Sequence, residues 1–276
     1  MPACEPGLRD WIVPMRLGPR SGAANPNPVA FVGNLPIDAV GLEETARAFI
    51  AYCRSAERAV AARPIYSTSV NGQVVSLCAS NRDVARLFRT ADVINADGQP
   101  MVILSRFLCR NPLPSRVATT DLFPTAARLA AQAGVTFYML GGSEQVNRAA
   151  VERTRAAYPR LSIVGRRNGY FTREQEPAIV AEIARLAPDI LWVALGAPLE
   201  QEFCVRNLEA LRGVGLVKTS GGLFDFLALA KPRAPLWVQG LGFEWLFRMV
   251  VEPRRLFMRY LVTNPHALYL LAREMR

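Results

Sequence analysis

Two rhythms of apolar and polar positions alternate along this chain. Short, nearly continuous apolar runs at Ile65–Ser69, Asp92–Asn95, Val135–Leu140, Leu161–Val164, Ile190–Leu195 and Leu216–Thr219 read as strands. Between and before them, apolar residues recur every three to four positions, the period of a helix with one face inward. This pattern predicts helices over Leu42–Ala62, Gln73–Phe88, Met101–Leu108 and Asp121–Ala133. Further helices run from Ser143, a natural N-cap, to Tyr158, from the capping box Thr172-Arg-Glu-Gln175 to Leu186, and from Pro198 to Leu211. Strands separated by single helices imply a Rossmann-like α/β fold, a mostly parallel sheet with helices on both faces. In such sheets ligands bind at the carboxyl ends of the strands.

The ends of the chain read differently. Met1 to Pro28 is rich in Pro, Gly and Arg and has no apolar signal segment, so residues 1–28 are expected to form a flexible N-terminal arm. After Pro232 the strand signal stops. The expected division is an arm at 1–28, an α/β core at 29–232 and a basic amphipathic helical appendage at 233–276. Because every predicted strand precedes the appendage, the core is expected to fold without it.

Composition narrows the chemistry. Lys and Arg total 33 against 23 Asp and Glu, a formal charge of +10 over 276 residues, and only Lys218 and Lys231 are lysines. Such an arginine-dominated chain suits phosphates, nucleic acid or an anionic membrane, besides an ordinary solvated surface. The single histidine, His266, argues against a Ser-His-Asp triad and a His-rich metal site. The five cysteines include no CxxC pair, which points to reduced thiols in a cytoplasmic protein. No apolar run is long enough to span a membrane.

Chemistry-capable residues gather at the predicted strand ends. Asp97-Gly98, Gly141-Gly142, Gly196-Ala197-Pro198 and Gly221-Gly222 each follow a strand. Glycine lets the backbone approach a ligand, and the next helix offers N–H groups to an anion; each also reads as a plain tight turn. None matches a dinucleotide fingerprint or a P-loop. Asp97 is the candidate general base, or else a turn aspartate. Without a D-x-D pair, His cluster or Cys pair, the residues support neither a metal nor a cofactor.

In the C-terminal segment Arg248, Glu252, Arg255 and Arg259 recur at helical spacing, and Leu246, Val250, Phe257 and Leu261 follow the same spacing on another face. Pro253 must kink or split this helix. The stripe suits a diphosphate or anionic lipid, and the apolar face suits the core or a membrane surface; Trp237, Phe243, Trp245 and Phe247 are open to the same two readings.

The motifs Asn95-Ala-Asp-Gly98, Phe137-Tyr-Met-Leu-Gly-Gly142, Gly169-Tyr-Phe171 and Ala194-Leu-Gly-Ala-Pro-Leu-Glu-Gln-Glu202 occur in that order. Gly221-Gly-Leu-Phe-Asp-Phe-Leu-Ala228, Arg233-Ala-Pro235, Gly242-Phe-Glu-Trp-Leu-Phe-Arg248, Glu252-Pro-Arg-Arg-Leu256 and Arg259-Tyr260 complete the series. From about Phe31 to Tyr269 the chain resembles the WecG/TagA/CpsF family of bacterial glycosyltransferases.

The resemblance implies an inverting, metal-independent transfer from a UDP-sugar, of the N-acetylmannosamine type or a related hexose, to a sugar on undecaprenyl diphosphate in cell-surface polysaccharide synthesis. It places the catalytic aspartate on Asp97. It places substrate binding on Ser69 and Asn71 of Ser69-Val-Asn71, on Gly98, on Arg116 and Asp121 of Arg116-Val-Ala-Thr-Thr-Asp121, and on Gly141, Gly142, Tyr170 and Gly196. Gly221, Gly222 and Asp225 belong to the same set, as do Arg248, Arg255 and Arg259 of the appendage. The family glutamine falls on Gln201 or on Glu200. Ser69 stands where the family has threonine, Thr119 where it usually has glycine and Leu229 where it has glycine. The implied partners are the UDP-sugar, the polyprenyl-diphosphate-linked acceptor, an anionic membrane surface met through the C-terminal segment, and another copy of the chain, since some members assemble. The implied location is the inner face of the cytoplasmic membrane.

The rival readings are distinguishable. A dinucleotide-dependent oxidoreductase needs a glycine fingerprint that Gly33-Asn34-Leu35-Pro36 does not supply. A basic nucleic-acid-binding protein would show steeply salt-dependent retention, and the resemblance argues against nucleic acid. A non-catalytic nucleotide-sugar-binding protein would release no UDP.

Overall fold

The computed structural model describes residues 15, 17–18, 27–32, 35–229, 234–235, 238, 244–251 and 253–276. Two short strands, β1 (Val29–Val32) and β2 (Leu35–Asp38), pair as an antiparallel hairpin. Helices α1 (Leu42–Cys53) and α2 (Ala56–Val60) lead to β3 (Ile65–Val70). Next come α3 (Gly72–Ser80), α4 (Arg82–Arg89), β4 (Val93–Ala96), α5 (Gln99–Leu108) and α6 (Thr119–Ala133). β5 (Thr136–Gly141), α7 (Glu144–Ala157), β6 (Ser162–Arg167) and α8 (Glu176–Leu186) continue the alternation. It closes with β7 (Ile190–Ala194), α9 (Leu199–Asn207), β8 (Leu216–Thr219) and α10 (Leu223–Leu227), before α11 (Glu244–Val251) and α12 (Pro253–Glu274).

Strands β3 to β8 form one six-stranded sheet in the order β4-β3-β8-β7-β5-β6, and every pairing within it is parallel. The expected α/β class is therefore observed, with helices on both faces. Tyr66, Tyr138, Leu191, Val193 and Val217 point to one face, where α3, α4, α8 and α9 pack. Ile65, Phe137, Met139, Ile190 and Trp192 point to the other, against α1, α6 and α7. The alternation is strict in β7, whose five residues are all buried. Trp192 meets Phe123 of α6 edge-on, with ring centroids 4.9 Å apart.

Several boundaries differ from the sequence reading for local reasons. The helix predicted over Gln73–Phe88 divides at Asn81, whose side chain accepts the N–H groups of Asp83 and Val84 and so starts α4 afresh. The helix predicted over Leu42–Ala62 divides at Arg54 and Ser55. Gln175 Oε1 accepts from Thr172 N at 3.0 Å, as in a capping box, but regular helix begins only at Glu176. The hairpin β1–β2 was not foreseen. Pro36 lies in β2, and Asp38 interrupts the apolar pattern because its carboxylate is spent inside, accepting Ile94 N at 2.8 Å. That bond fastens the hairpin beside the β4 edge of the sheet.

The C-terminal helix is present, and Pro253 opens α12 just after α11 ends, as a split at proline requires. Its last turns are built into the core. Ala267 is buried, and Leu270, Leu271 and Met275 belong to the same apolar cluster as Val74 and Val75 of α3. Ser76 Oγ lies 2.9 Å from His266 Nδ1. Beyond α12, Arg276 and Phe31 exchange backbone hydrogen bonds of 2.9 and 2.6 Å, pairing Met275 with Val32. The segment from 233 thus supplies core residues at its far end, so the core expected at 29–232 lacks part of its own packing. At the other terminus Met15 is buried in the core, within the segment expected to be an arm. Trp237, Phe243 and Glu252 lie outside the described residues, as do the side chains of Trp245, Arg248, Arg255, Phe257 and Arg259. Leu246, Val250 and Leu261 are exposed. Among the described residues, no helix is long and apolar enough to cross a membrane.

Candidate active site

Four neighbouring strands, β4, β3, β8 and β7, end beneath one cleft of about 650 Å³. Each passes directly into a turn that presents polar groups. From β4 the chain delivers Asp97 and Gly98, and from β3 it delivers Ser69 and Asn71. β8 supplies Thr219, Ser220, Gly221 and Gly222, and β7 leads to Gly196. Arg116, Thr119, Tyr170, Glu200, Gln201 and Asp225 also line it, and Asn264 and Leu268 of α12 form one wall.

Local bonds explain these positions. Asp97 N donates to Val70 O at 2.7 Å, locking the turn after β4 to the end of β3. Val117 N donates to Ala96 O, also at 2.7 Å, which brings Arg116 to the same strand end. Asp121, in the first turn of α6, does not line the cleft; its Oδ2 lies 3.2 Å from Arg116 Nη2 and orients that guanidinium. Asn71 lines the cleft while its Oδ1 accepts Val74 N as the N-cap of α3. Tyr170 stands at the cleft edge, 81% exposed.

The glycine turns divide into two kinds. Gly196 and Gly221 both have positive φ, and a Cβ on either would meet no atom, so the space above them is open cleft. Their N–H groups are already engaged, however. Glu200 Oε2 accepts Gly196 N at 3.1 Å and Gly221 N at 2.9 Å, so these donors hold an internal carboxylate. Gly141 and Gly142 lie outside the cleft lining. A Cβ on Gly141 would collide with the backbone of Ala194, and Gly142 bonds to Ala194 O and Gly169 N. Their role here is close packing of β5, β7 and the Gly169 turn.

Glu200 and Gln201 both face inward from the first turn of α9, and both are buried. Gln201 Nε2 donates to Thr68 Oγ1 at 3.2 Å, and that hydroxyl lies 2.8 Å from Thr219 Oγ1. Gln201 Oε1 is buried with no hydrogen-bond partner among the described residues, and so is Asn95 Nδ2. Burial pushes the Glu200 carboxyl up, opposed by the glycine N–H groups and by Lys218.

Lys218 was not anticipated as part of the site. It is fully buried in β8, where its Nζ donates to Ser69 Oγ at 2.7 Å and to Thr219 O at 3.0 Å. Burial pulls its ammonium down to about 8, against the opposing pull of Glu200, Asp97 and Cys204. The available signal was a lysine inside an apolar strand run in a chain with only one other lysine. Among the described residues, no three His, Cys, Asp or Glu side chains converge as metal ligands. The arrangement offers a carboxylate, hydroxyls and a guanidinium around an open floor, a set suited to proton transfer beside an anionic group.

The profile of the glycosyl transferase WecG/TagA/CpsF family matches residues 30–276. A Bacillus subtilis (strain 168) protein, N-acetylglucosaminyldiphosphoundecaprenol N-acetyl-beta-D-mannosaminyltransferase, is 31% identical over 208 residues, covering 75% of this chain and 79% of that protein. The profile match spans all six sheet strands and α12, and with them every residue that lines the cleft. The chain belongs to the WecG/TagA/CpsF family and is a glycosyltransferase.

Proposed function

We propose that this enzyme transfers a sugar, of the N-acetylmannosamine type or a related hexose, from a UDP-sugar to a sugar carried on undecaprenyl diphosphate, inverting the anomeric carbon. The observation that supports this most directly is the meeting of Asp97, Ser69, Arg116 and Gln201 in one cleft at four adjacent strand ends. The Bacillus subtilis relative, named for transfer onto a diphosphoundecaprenol-linked sugar, supports the acceptor class.

In this reading Asp97 takes the proton from the acceptor hydroxyl as its oxygen attacks the anomeric carbon. The new carbon–oxygen bond forms on the face opposite UDP, the bond to the diphosphate breaks, and UDP departs with the electron pair. Arg116 lies in the cleft to meet the growing charge. Arg248, Arg255 and Arg259, in α11 and α12, are assigned the same role or contact with anionic lipid. Ser69, Asn71, Tyr170 and Asp225 would bind the substrates, and a metal has no part. The exposed Leu246, Val250 and Leu261 suit a peripheral position on the inner face of the cytoplasmic membrane, and self-association remains compatible with it.

The test is a screen of UDP-, GDP- and CMP-sugars against a prenyl-diphosphate-linked N-acetylglucosamine, read by product mass. Transfer from a UDP-sugar is expected, with UDP binding more tightly than GDP in calorimetry. Transfer from GDP- or CMP-sugars alone would overturn the donor.

A further inference from the structure

A lysine with no access to solvent is an expensive strand residue, since an apolar side chain of equal length would fill the same space without desolvating a charge. Lys218 nevertheless lies in the middle of the sheet, and its Nζ ends under the cleft floor. An ammonium can only donate. The 2.7 Å contact therefore occupies a lone pair of Ser69 Oγ and leaves the serine proton to go elsewhere. The neighbouring oxygen is Thr119 Oγ1 at 3.3 Å, a long contact, and both residues line the cleft. A phosphate oxygen entering the cleft would be a stronger acceptor than that hydroxyl.

We propose that Lys218 is a positioning residue that fixes the Ser69 hydroxyl as a hydrogen-bond donor into the cleft, toward the diphosphate of the bound nucleotide. This rests on the nucleotide-sugar reading above. Among the described residues, the titratable groups facing Lys218 are Glu200 and the neutral thiol Cys204 from α9 and Asp97 from the turn after β4; the two carboxylates favour its charged form. Glu200 in turn is held by Gly196 and Gly221, so the charges under the floor are tied to the loops that shape it. If Lys218 loses its proton, its amine can accept from Ser69, and the hydroxyl turns away from the cleft.

Calorimetry with UDP and steady-state transfer on wild type, Lys218→Met, Ser69→Ala, Ser69→Thr and the Lys218→Met/Ser69→Ala double variant test this. Absence of UDP binding by wild type would sink the donor reading itself. Given wild-type binding, each of Lys218→Met and Ser69→Ala is expected to weaken UDP by about 10-fold. The double variant should be no weaker than either single one, and Ser69→Thr should restore binding. Additive losses, or a folded Lys218→Met with wild-type affinity, would overturn the proposal. If Lys218→Met does not fold, wild type and Ser69→Ala are compared between about pH 7 and about pH 9. Affinity should fall with rising pH in wild type and stay level in Ser69→Ala; parallel curves would overturn it.

Discussion

Glu200 accepts the backbone N–H of Gly221 across the gap between two strand ends, at 2.9 Å. The same oxygen holds Gly196 N, so one carboxylate joins the turns after β7 and β8. Glu200→Gln keeps an acceptor oxygen there and removes a buried charge. It should fold normally and keep transfer within a few-fold. Glu200→Ala leaves two N–H groups unsatisfied and should lose about 1–3 kcal/mol for each that water fails to reach. Chemical denaturation of the three proteins gives the comparison, and equal midpoints for alanine and wild type would show that the tie carries no stability.

Asp97→Asn should fold, because Asp97 N holds Val70 O through the backbone whatever the side chain. Transfer should drop about 10²–10⁴-fold, the usual loss when a general base is removed. Turnover within a few-fold of wild type would take Asp97 out of that role.

Transfer should persist in excess EDTA. Among the described residues no three metal-ligating side chains converge, and the cleft offers Arg116 as a positive group. Loss of turnover restored by Mg²⁺ or Mn²⁺ would contradict it.

The strands were legible because a strand in a parallel sheet is buried on both faces and reads as an unbroken apolar run, as Ile190–Ala194 does. The place of Asp97 at the cleft was legible for a related reason: it ends such a run just before a helix, at the sheet edge where a parallel sheet gathers its loops. The hairpin was not, because its strands are short and Pro36 and Asp38 break the pattern. Lys218 was hidden by the rule that located its strand, since a buried charge looks like noise inside an apolar run. Nor could the sequence choose between Glu200 and Gln201. Their positions depend on where α9 begins, and a start at Leu199 turns both inward.

Stability should fall above about pH 9, the region where unfolded thiols lose their protons. Burial pushes both Cys53 and Cys78 up to about 12, so the folded protein keeps protons that the unfolded chain has released. Folded stability then declines as pH rises through that interval. Lys218 acts oppositely. Its folded value is lowered to about 8, so its burial penalty is full below that pH and is relieved as the unfolded lysine's value of about 10.4 is approached. Buried Cys204 is pushed up in the same way, so the thiols outweigh the one lysine and the net is a loss. Thermal unfolding across this range should show it, with a shallower decline in Cys78→Ala; an identical slope would remove Cys78 from the account.

Removing the chain from residue 234 onward should prevent folding, because Leu270, Leu271 and Met275 would leave the core cluster they share with α3. Circular dichroism and a thermal melt are sufficient. A cooperative transition in the truncated protein would restore the appendage to an accessory that the core does not need.

The pairing of Met275 with Val32 has a consequence in time. Loop closure grows costlier only slowly with length, by about 0.6 kcal/mol per doubling, so so distant a tie weighs little on equilibrium stability. It weighs on the route instead. Contacts far apart in sequence slow folding, since much of the intervening chain must be ordered before they can form. The sheet can assemble strand by strand, whereas the hairpin's outer edge waits for α12 to dock. Until then the outer edge of β1 lacks the partner that Met275 and Arg276 supply.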